Sequence, residues 1–273
     1  MVKSGKPNQI SLKSHAQMAL MRRSGKLVSE ALAICRAMAV PGTSLINLDS
    51  AVEQHFVSHG AVPLFKGYPG KVPYPGSTCL SVNEQVVHGL PCPRVLQEGD
   101  LLKIDTACRL DGWCADAAVT IPVGAVSSGK ERLCRVTDEV LQLAIKELAA
   151  GLKRRGLWSE VARKMQLHAE ASGFRMVTQY VGHGIGESMH EPPQVPNYYD
   201  RETVDHDFRL VPGLVLAVEP MVNMGVAQTK VLRDHWTVVT RDGLPSAHVE
   251  HTLGLMADGV WVITSDRDDE IVT

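Results

Sequence analysis

No stretch of this chain approaches the roughly 18 consecutive apolar residues of a membrane-spanning helix. The first apolar stretch is interrupted by Arg22, Arg23, Ser24 and Lys26. Met1 to Ser14 is polar and weakly basic and lacks the apolar core of a secretory signal. An excess of charge is missing too. Lys and Arg number 28 against 30 Asp and Glu, a net charge of −2. That balance leaves no electrostatic footprint for nucleic acid or a membrane surface. The six cysteines, Cys35, Cys79, Cys92, Cys108, Cys114 and Cys134, form no C-x-x-C pair. A chain of 273 residues needs no covalent staples, so free thiols in a reducing cytosol are expected.

What remains is the composition of an ordinary globular protein, 44% hydrophobic and 21% charged, long enough for one large domain or two small ones. Leu20, Leu27, Val28, Ala31, Ile34, Cys35 and Met38 fall at helical spacing, and Pro41-Gly42 ends that helix. A second amphipathic helix is expected over about 44–59. Residues 61–79 read as loop, with Pro63, Pro69, Pro73 and Pro75. Strand signals then dominate to about 123. The second half repeats the order: helices over about 130–149 and 158–172, Gly173 at the C-cap position, then strand-like runs over 174–181 and 214–264.

Four carboxylates and one imidazole carry the chemistry: Asp105, Asp116, Glu219, Glu250 and His183. Asp105 ends the run Leu101-Leu102-Lys103-Ile104, and Glu219 ends Leu214-Val215-Leu216-Ala217-Val218. Carboxylates buried in apolar strands are rare unless paired or bound to a cation. Four oxygen-donor side chains with one nitrogen suit hard or borderline divalent metals. Leu96-x-x-Gly99 stands six residues before Asp105, and Leu210-x-x-Gly213 six before Glu219. Two related α/β halves, each delivering a carboxylate from a Gly turn along a matching strand, account for that repeat; chance recurrence of a common turn-then-strand pattern is the bland alternative. Asp111-Gly112 is a hairpin signal. It would bring Asp105 and Asp116 side by side on adjacent strands, allowing for a bulge. Carboxylates that close repel unless a proton or metal lies between them.

Five segments in register resemble the bacterial type I methionine aminopeptidases. They are Val82-Asn83-Glu84-Gln85-Val86-Val87-His88-Gly89-Leu90-Pro91, the run from Asp105 to Asp116, Gly182-His183-Gly184-Ile185-Gly186, Glu219-Pro220-Met221-Val222-Asn223, and Glu250-His251-Thr252. The resemblance runs from about Ile10 to the end. It implies a pita-bread fold, an α/β class in which two pseudo-symmetric halves, about 13–125 and 126–265, surround a central antiparallel sheet. Residues 1–12 would be a flexible N-terminal segment and 13–273 one catalytic domain. It also implies a cytoplasmic enzyme that removes the initiator methionine from nascent chains, at or near the ribosome, when the second residue is small; a monomer is the default expectation.

By the same resemblance, two divalent ions (Co, Mn, Fe or Zn) are held by Asp105, Asp116, His183, Glu219 and Glu250. Metal-bound hydroxide attacks the peptide carbonyl, and Glu219 handles protons. His190 would stabilise the developing oxyanion and His88 would contact the scissile backbone. Phe65, Tyr68, Tyr74, Cys79, Met189 and Trp236 would form the methionine pocket, where sulfur and aromatic contacts suit a thioether. Asn83, Gln85 and Ser246 lie where some members place a monovalent cation.

The chain departs from the family pattern in three ways. Met189 stands where Phe is commoner, Phe65 where a small sulfur-bearing residue is frequent, and Lys71-Val72-Pro73 is an insertion. On a surface rim, that insertion would alter reach beyond the second substrate residue without touching the chemistry. Two rivals are an X-Pro peptidase of the same fold, which usually carries an extra N-terminal domain, and a metal-free binding module, which would have lost ligands.

Overall fold

The computed structural model describes residues 9–200, 207–268 and 270–273. Residues 1–8 of the segment expected to be flexible therefore lie outside the described residues. Lys13 is anchored, its amide donating to the Gly213 carbonyl at 2.7 Å.

Helix α1 spans His15–Met38 and opens on a capping box in which Ser14 and Gln17 satisfy each other's backbone amides. Helix α2, Leu45–Ser58, is capped by Ser44. Strands β1 (Val62–Pro63), β2 (Cys79–Val82), β3 (Gln85–Val87), β4 (Leu101–Leu110) and β5 (Trp113–Pro122) complete the first half. Leu48, Val52 and Phe56 of α2 pack with Leu80, Val82, Leu102 and Ile104 in one core.

The second half begins with α3 (Ser128–Arg154) and α4 (Trp158–Ala171). Helix α3 outruns the expected 130–149 at both ends. Ser127 caps its start, and Arg155 closes it in a left-handed conformation at φ 53°. At the end of α4, Ser172 is the cap and Gly173 follows it at φ +81°. Strands β6 (Arg175–Met176), β7 (Gly182–Gly184), β8 (Glu191–Val195), β9 (Val215–Val218) and β10 (Met221–Asn223) follow. Then come β11 (Thr229–Val231), β12 (Val238–Thr240), β13 (Ser246–His248), β14 (His251–Leu255), β15 (Val260–Val262) and β16 (Ile271–Val272). Leu133, Val140, Ile145 and Leu148 of α3 pack on Leu216, Val218, Leu253 and Leu255, a second core matching the first.

The repeated Gly turns are real. Gly99 and Gly213 have φ of +88° and +99°, where a side chain would be strained. Each turn feeds a central strand. β4 lies between β2 and β5, and β9 between β7 and β14, all antiparallel. Asp111 and Gly112 both have positive φ, 51° and 86°, as a two-residue hairpin requires. The register of β4 with β5 is unbroken, and no bulge occurs. Asp105 faces Ala118, and Asp116 faces Ala107. The two carboxylates are thus diagonal neighbours on one face rather than direct partners.

The halves meet along a seam between β5 and the start of β14. Ala118 and Glu250 form an antiparallel bridge, the Glu250 amide donating to the Ala118 carbonyl at 2.9 Å. Two residues along, a side chain replaces the backbone. The Thr252 hydroxyl accepts from the Asp116 amide at 3.0 Å and donates to its carbonyl at 2.8 Å. Thr252 is fully buried. Thr252→Val keeps the shape and leaves both Asp116 backbone groups buried without partners, so a loss of about 2–4 kcal/mol is expected. Urea unfolding checks it; an unchanged midpoint would mean the two halves do not depend on this contact.

Candidate metal centre

Strand register alone collects the five donors. Across the joined sheets, His183 pairs with Ala217, Ala217 with Thr252, and Thr252 reaches Asp116, which pairs with Ala107. One step along, the β9–β14 register carried past Val218 and His251 sets Glu219 opposite Glu250. Glu250 bridges Ala118, which pairs with Asp105, which pairs with Cys79. Paired residues share a face and so do residues two apart. All five donors therefore lie on one face. Of the positions between them, Ala107, Ala118 and Ala217 have small side chains that leave room above the sheet, and Thr252 turns its hydroxyl to the Asp116 backbone.

The glycines around His183 have a steric reason. A Cβ at Gly182 would lie 2.2 Å from the Ala217 carbonyl oxygen, and one at Gly184 2.3 Å from that of Pro192. The backbones approach too closely for any side chain, and that closeness holds β7 against β9 and β8. His183 Nδ1 lies 2.9 Å from the Gly184 carbonyl. Donation there leaves Nε2 free for the site, 3.7 Å from a Glu219 oxygen, the arrangement usual for a metal-ligating imidazole.

Ligand atoms of Asp116, His183 and Glu250 lie within 4.8 Å of one another. Asp105 Oδ1, Asp116 Oδ1 and Glu250 Oε1 are buried without a hydrogen-bond partner. Burial drives the Asp105, Glu219 and Glu250 carboxyls well above their ordinary range, and neighbouring carboxylates push the same way. Burial likewise raises Asp116 to about 7, opposed in part by its contacts with Asp105 and the Ala117 amide. His183 is pushed down to about 3 by burial and by His190, so its ring is neutral and ligand-competent. Four mutually repelling carboxylates, three orphaned oxygens and one neutral imidazole suit divalent cations. A second cluster, Glu30 of α1, His55 of α2 and His59 at the end of α2, does not line the cavity described next.

The donors sit in the wall of a cavity of about 900 Å³ that also contains the expected substrate-contacting residues His88, His190, Phe65, Tyr68, Tyr74, Cys79, Met189 and Trp236, whereas Asn83, Gln85 and Ser246 lie outside its lining. The rings of His183 and His190 are 4.3 Å apart. The Tyr68 hydroxyl lies 2.9 Å from His190 Nδ1. His88 is held in a left-handed conformation at φ 59° and meets the edges of Tyr180 and Trp236. Phe65, Tyr74, Cys79 and Met189 form a compact apolar cluster beside Tyr68 and Trp236. Tyr74 packs edge-on against Trp236 at 5.2 Å. Burial, reinforced by Asp105, raises the Cys79 thiol well above its usual value, so it lines the pocket as a neutral group.

The rim insertion differs from expectation. The Val72 carbonyl accepts from Trp236 Nε1 at 2.8 Å. The insertion is therefore fastened to a pocket-wall residue instead of standing clear of it. Three other neighbours of the site had no signal in the sequence. His248 lies 3.9 Å from Glu219 and is buried. Tyr180 lies against His88, and Tyr198 lines the cavity. Only the three-dimensional placement of their strands and loops brings them there.

Buried carboxylates with one imidazole, set in the wall of an open cavity beside an apolar pocket, define a metal-dependent hydrolase. The chain belongs to metallopeptidase family M24, whose profile matches residues 19–255. It is 40% identical over 255 residues to methionine aminopeptidase 1 of Bacillus subtilis, covering 93% of this chain and 99% of the relative. It superposes on the crystal structure of methionine aminopeptidase from Thermotoga maritima with a TM-score of 0.87 at 39% identity, covering 94% of this chain and all of that one. The prolidase from Pyrococcus furiosus, 18% identical with a TM-score of 0.73 over 94% of this chain, shares the pita-bread fold. Among the described residues no helix is long and apolar enough to cross a membrane.

Proposed function

We propose that this chain is a methionine aminopeptidase that removes the N-terminal methionine of nascent polypeptides when the second residue is small. It works in the cytoplasm as a monomer with one catalytic domain over residues 13–273, and the ribosome is the natural place to meet its substrate. One observation carries the reading: the five donors share a cavity wall with an apolar, aromatic and sulfur-lined pocket of a chemistry that suits a thioether.

Asp105, Asp116, His183, Glu219 and Glu250 would hold two divalent ions of the Co, Mn, Fe or Zn kind. When bound, such ions supply Lewis acidity and lower the pKa of a water from 15.7 to about 7. The chain's own groups do the rest. Phe65, Tyr74, Cys79, Met189 and Trp236 grip the methionine side chain and exclude water from it. Glu219 takes a proton from the attacking water at a carboxylate oxygen and returns it to the departing amine. With the Tyr68 hydroxyl donating to Nδ1, the His190 proton sits on Nε2, where it can meet the carbonyl oxygen as negative charge develops. His88, neutral because burial lowers it to about 4, contacts the backbone at the scissile amide.

Hydrolysis of Met-Ala-Ser, compared with Leu-Ala-Ser and with an X-Pro dipeptide across the four metals, tests the reading. Met-Ala-Ser should be cleaved and the other two should not; preference for the X-Pro substrate would replace the reading with the prolidase-type one. Discrimination of one methylene in a pocket is worth about 1–3 kcal/mol. Rates should thus fall gradually from Gly, Ala and Ser to Val at the second position and collapse for Lys or Leu.

Deleting Lys71-Val72-Pro73 removes the acceptor of the Trp236 indole. We expect KM to rise for short and long substrates alike, with kcat for a methionyl dipeptide within a few-fold. Unchanged KM for the dipeptide would show that the Val72 contact does not shape the pocket.

A further inference from the structure

Asn83 is expected, by resemblance, to help hold a monovalent cation together with Gln85 and Ser246, yet its own hydrogen bonds leave no room for one. It occupies the turn between β2 and β3 at φ 54°. Its amide donates to the Leu101 carbonyl at 2.9 Å, and its Nδ2 donates to Asp100 at 2.7 Å. Its Oδ1 accepts from the Leu101 amide at 3.0 Å and from Lys130 Nζ at 3.1 Å. Its main-chain carbonyl accepts from the Ser246 amide at 3.1 Å and from Lys103 Nζ at 2.7 Å. A carbonyl oxygen has two lone pairs, and both are taken. An ion could bind that oxygen only by displacing Lys103.

Lys103 is placed for this by strand register. It lies on β4 two residues before Asp105, so its side chain leaves the sheet on the same face, between Ser81 of β2 and Thr120 of β5. It is 1% exposed. A fully buried lysine is rare without a partner, and the Asn83 carbonyl is the partner found here. Lys130 and Arg94 also face Lys103, alongside Glu84 and the Cys134 thiol. Lys130 binds the same asparagine. We propose that the Lys103 amine is a built-in substitute for the monovalent cation, bracing Asn83 and Ser246 so that the fold is indifferent to Na⁺ and K⁺. The brace matters to the site because β13, which begins at Ser246, carries His248 to within 3.9 Å of Glu219. The inference concerns the fold and stands whether or not the peptidase reading does.

Thermal unfolding of the full-length protein in NaCl, KCl and tetramethylammonium chloride at equal ionic strength tests it. The wild-type Tm should coincide in all three salts; a higher Tm in NaCl or KCl would overturn the proposal without any variant. Lys103→Ala strips the donor and opens space, so in tetramethylammonium chloride its Tm should drop by about 4–10 °C. Part of that loss should be recovered in NaCl or KCl alone. Lys103→Met keeps the apolar stem and fills the space, so it should lose stability with no salt-specific recovery. The proposal fails if Lys103→Met matches wild type, or if Lys103→Ala folds and responds identically to all three salts. Should Lys103→Ala not fold, the wild-type and Lys103→Met measurements still decide.

Discussion

Asp116→Ala and Glu250→Ala should each abolish hydrolysis of Met-Ala-Ser, at any concentration of added divalent metal. Both side chains are nearly inaccessible to solvent, and each has an oxygen with no protein hydrogen bond. Together with His183 they present donor atoms within 4.8 Å of one another. An alanine at either position deletes a carboxylate whose neighbours in the register cannot replace it: Ala107 and Ala118 have no donor, and the Thr252 hydroxyl is committed to the Asp116 backbone. Chelation of the wild-type protein should have the same effect, and adding metal back should restore activity only to the wild type. The folded state should survive, since removing one of four mutually repelling carboxylates relieves repulsion in the metal-free protein. Metal content by elemental analysis and activity, measured on the same samples, check this. Substantial turnover by either variant after metal stripping would sink the assignment of a two-ion centre.

His190→Ala should lower kcat by about 10²–10³-fold while metal content stays at the wild-type level. His190 projects into the cavity 4.3 Å, ring to ring, from His183, but it is not among the donors that gather around Asp116 and Glu250. A donor to a developing oxyanion binds the transition state more tightly than the ground state, so the loss belongs in kcat and not in KM. Tyr68 provides an internal control. Its hydroxyl lies 2.9 Å from His190 Nδ1, and Tyr68→Phe keeps the ring that packs edge-on against the imidazole. That variant should show a smaller fall in kcat than His190→Ala and almost none in the His190→Ala background, since it acts through the histidine. A His190→Ala enzyme with normal kcat, or one that loses its metal, contradicts the role.

Local signals in the sequence sufficed for the helices and the hairpin, and they marked Asp105 and Glu219 as charges in apolar strands. Helix α1 is legible because its buried residues recur every three or four positions and Pro41-Gly42 marks its end. The Asp111-Gly112 turn is legible because two consecutive left-handed residues demand that pair or one like it. Asp105 and Glu219 stand out because a charge in an apolar strand needs a physical excuse. The repeat survived into three dimensions because Gly99 and Gly213 solve the same turn problem at the head of equivalent strands.

What the tertiary structure alone decided involves distances between segments far apart in the chain. The hairpin could be foreseen, but not that Asp105 and Asp116 would sit diagonally without a bulge; register depends on pairing along the whole of β4 and β5. Thr252 gave no sign that its hydroxyl would stand in for a backbone pair at the seam, because that need arises only where two sheets approach without full pairing. The insertion read as a free rim until Val72 was found bonded to Trp236, 164 positions away. Lys103 read as one more residue of an apolar strand until its amine met the carbonyl of Asn83. Short-range periodicity records which residues must be buried, and it carries no record of which partner each buried polar group will find.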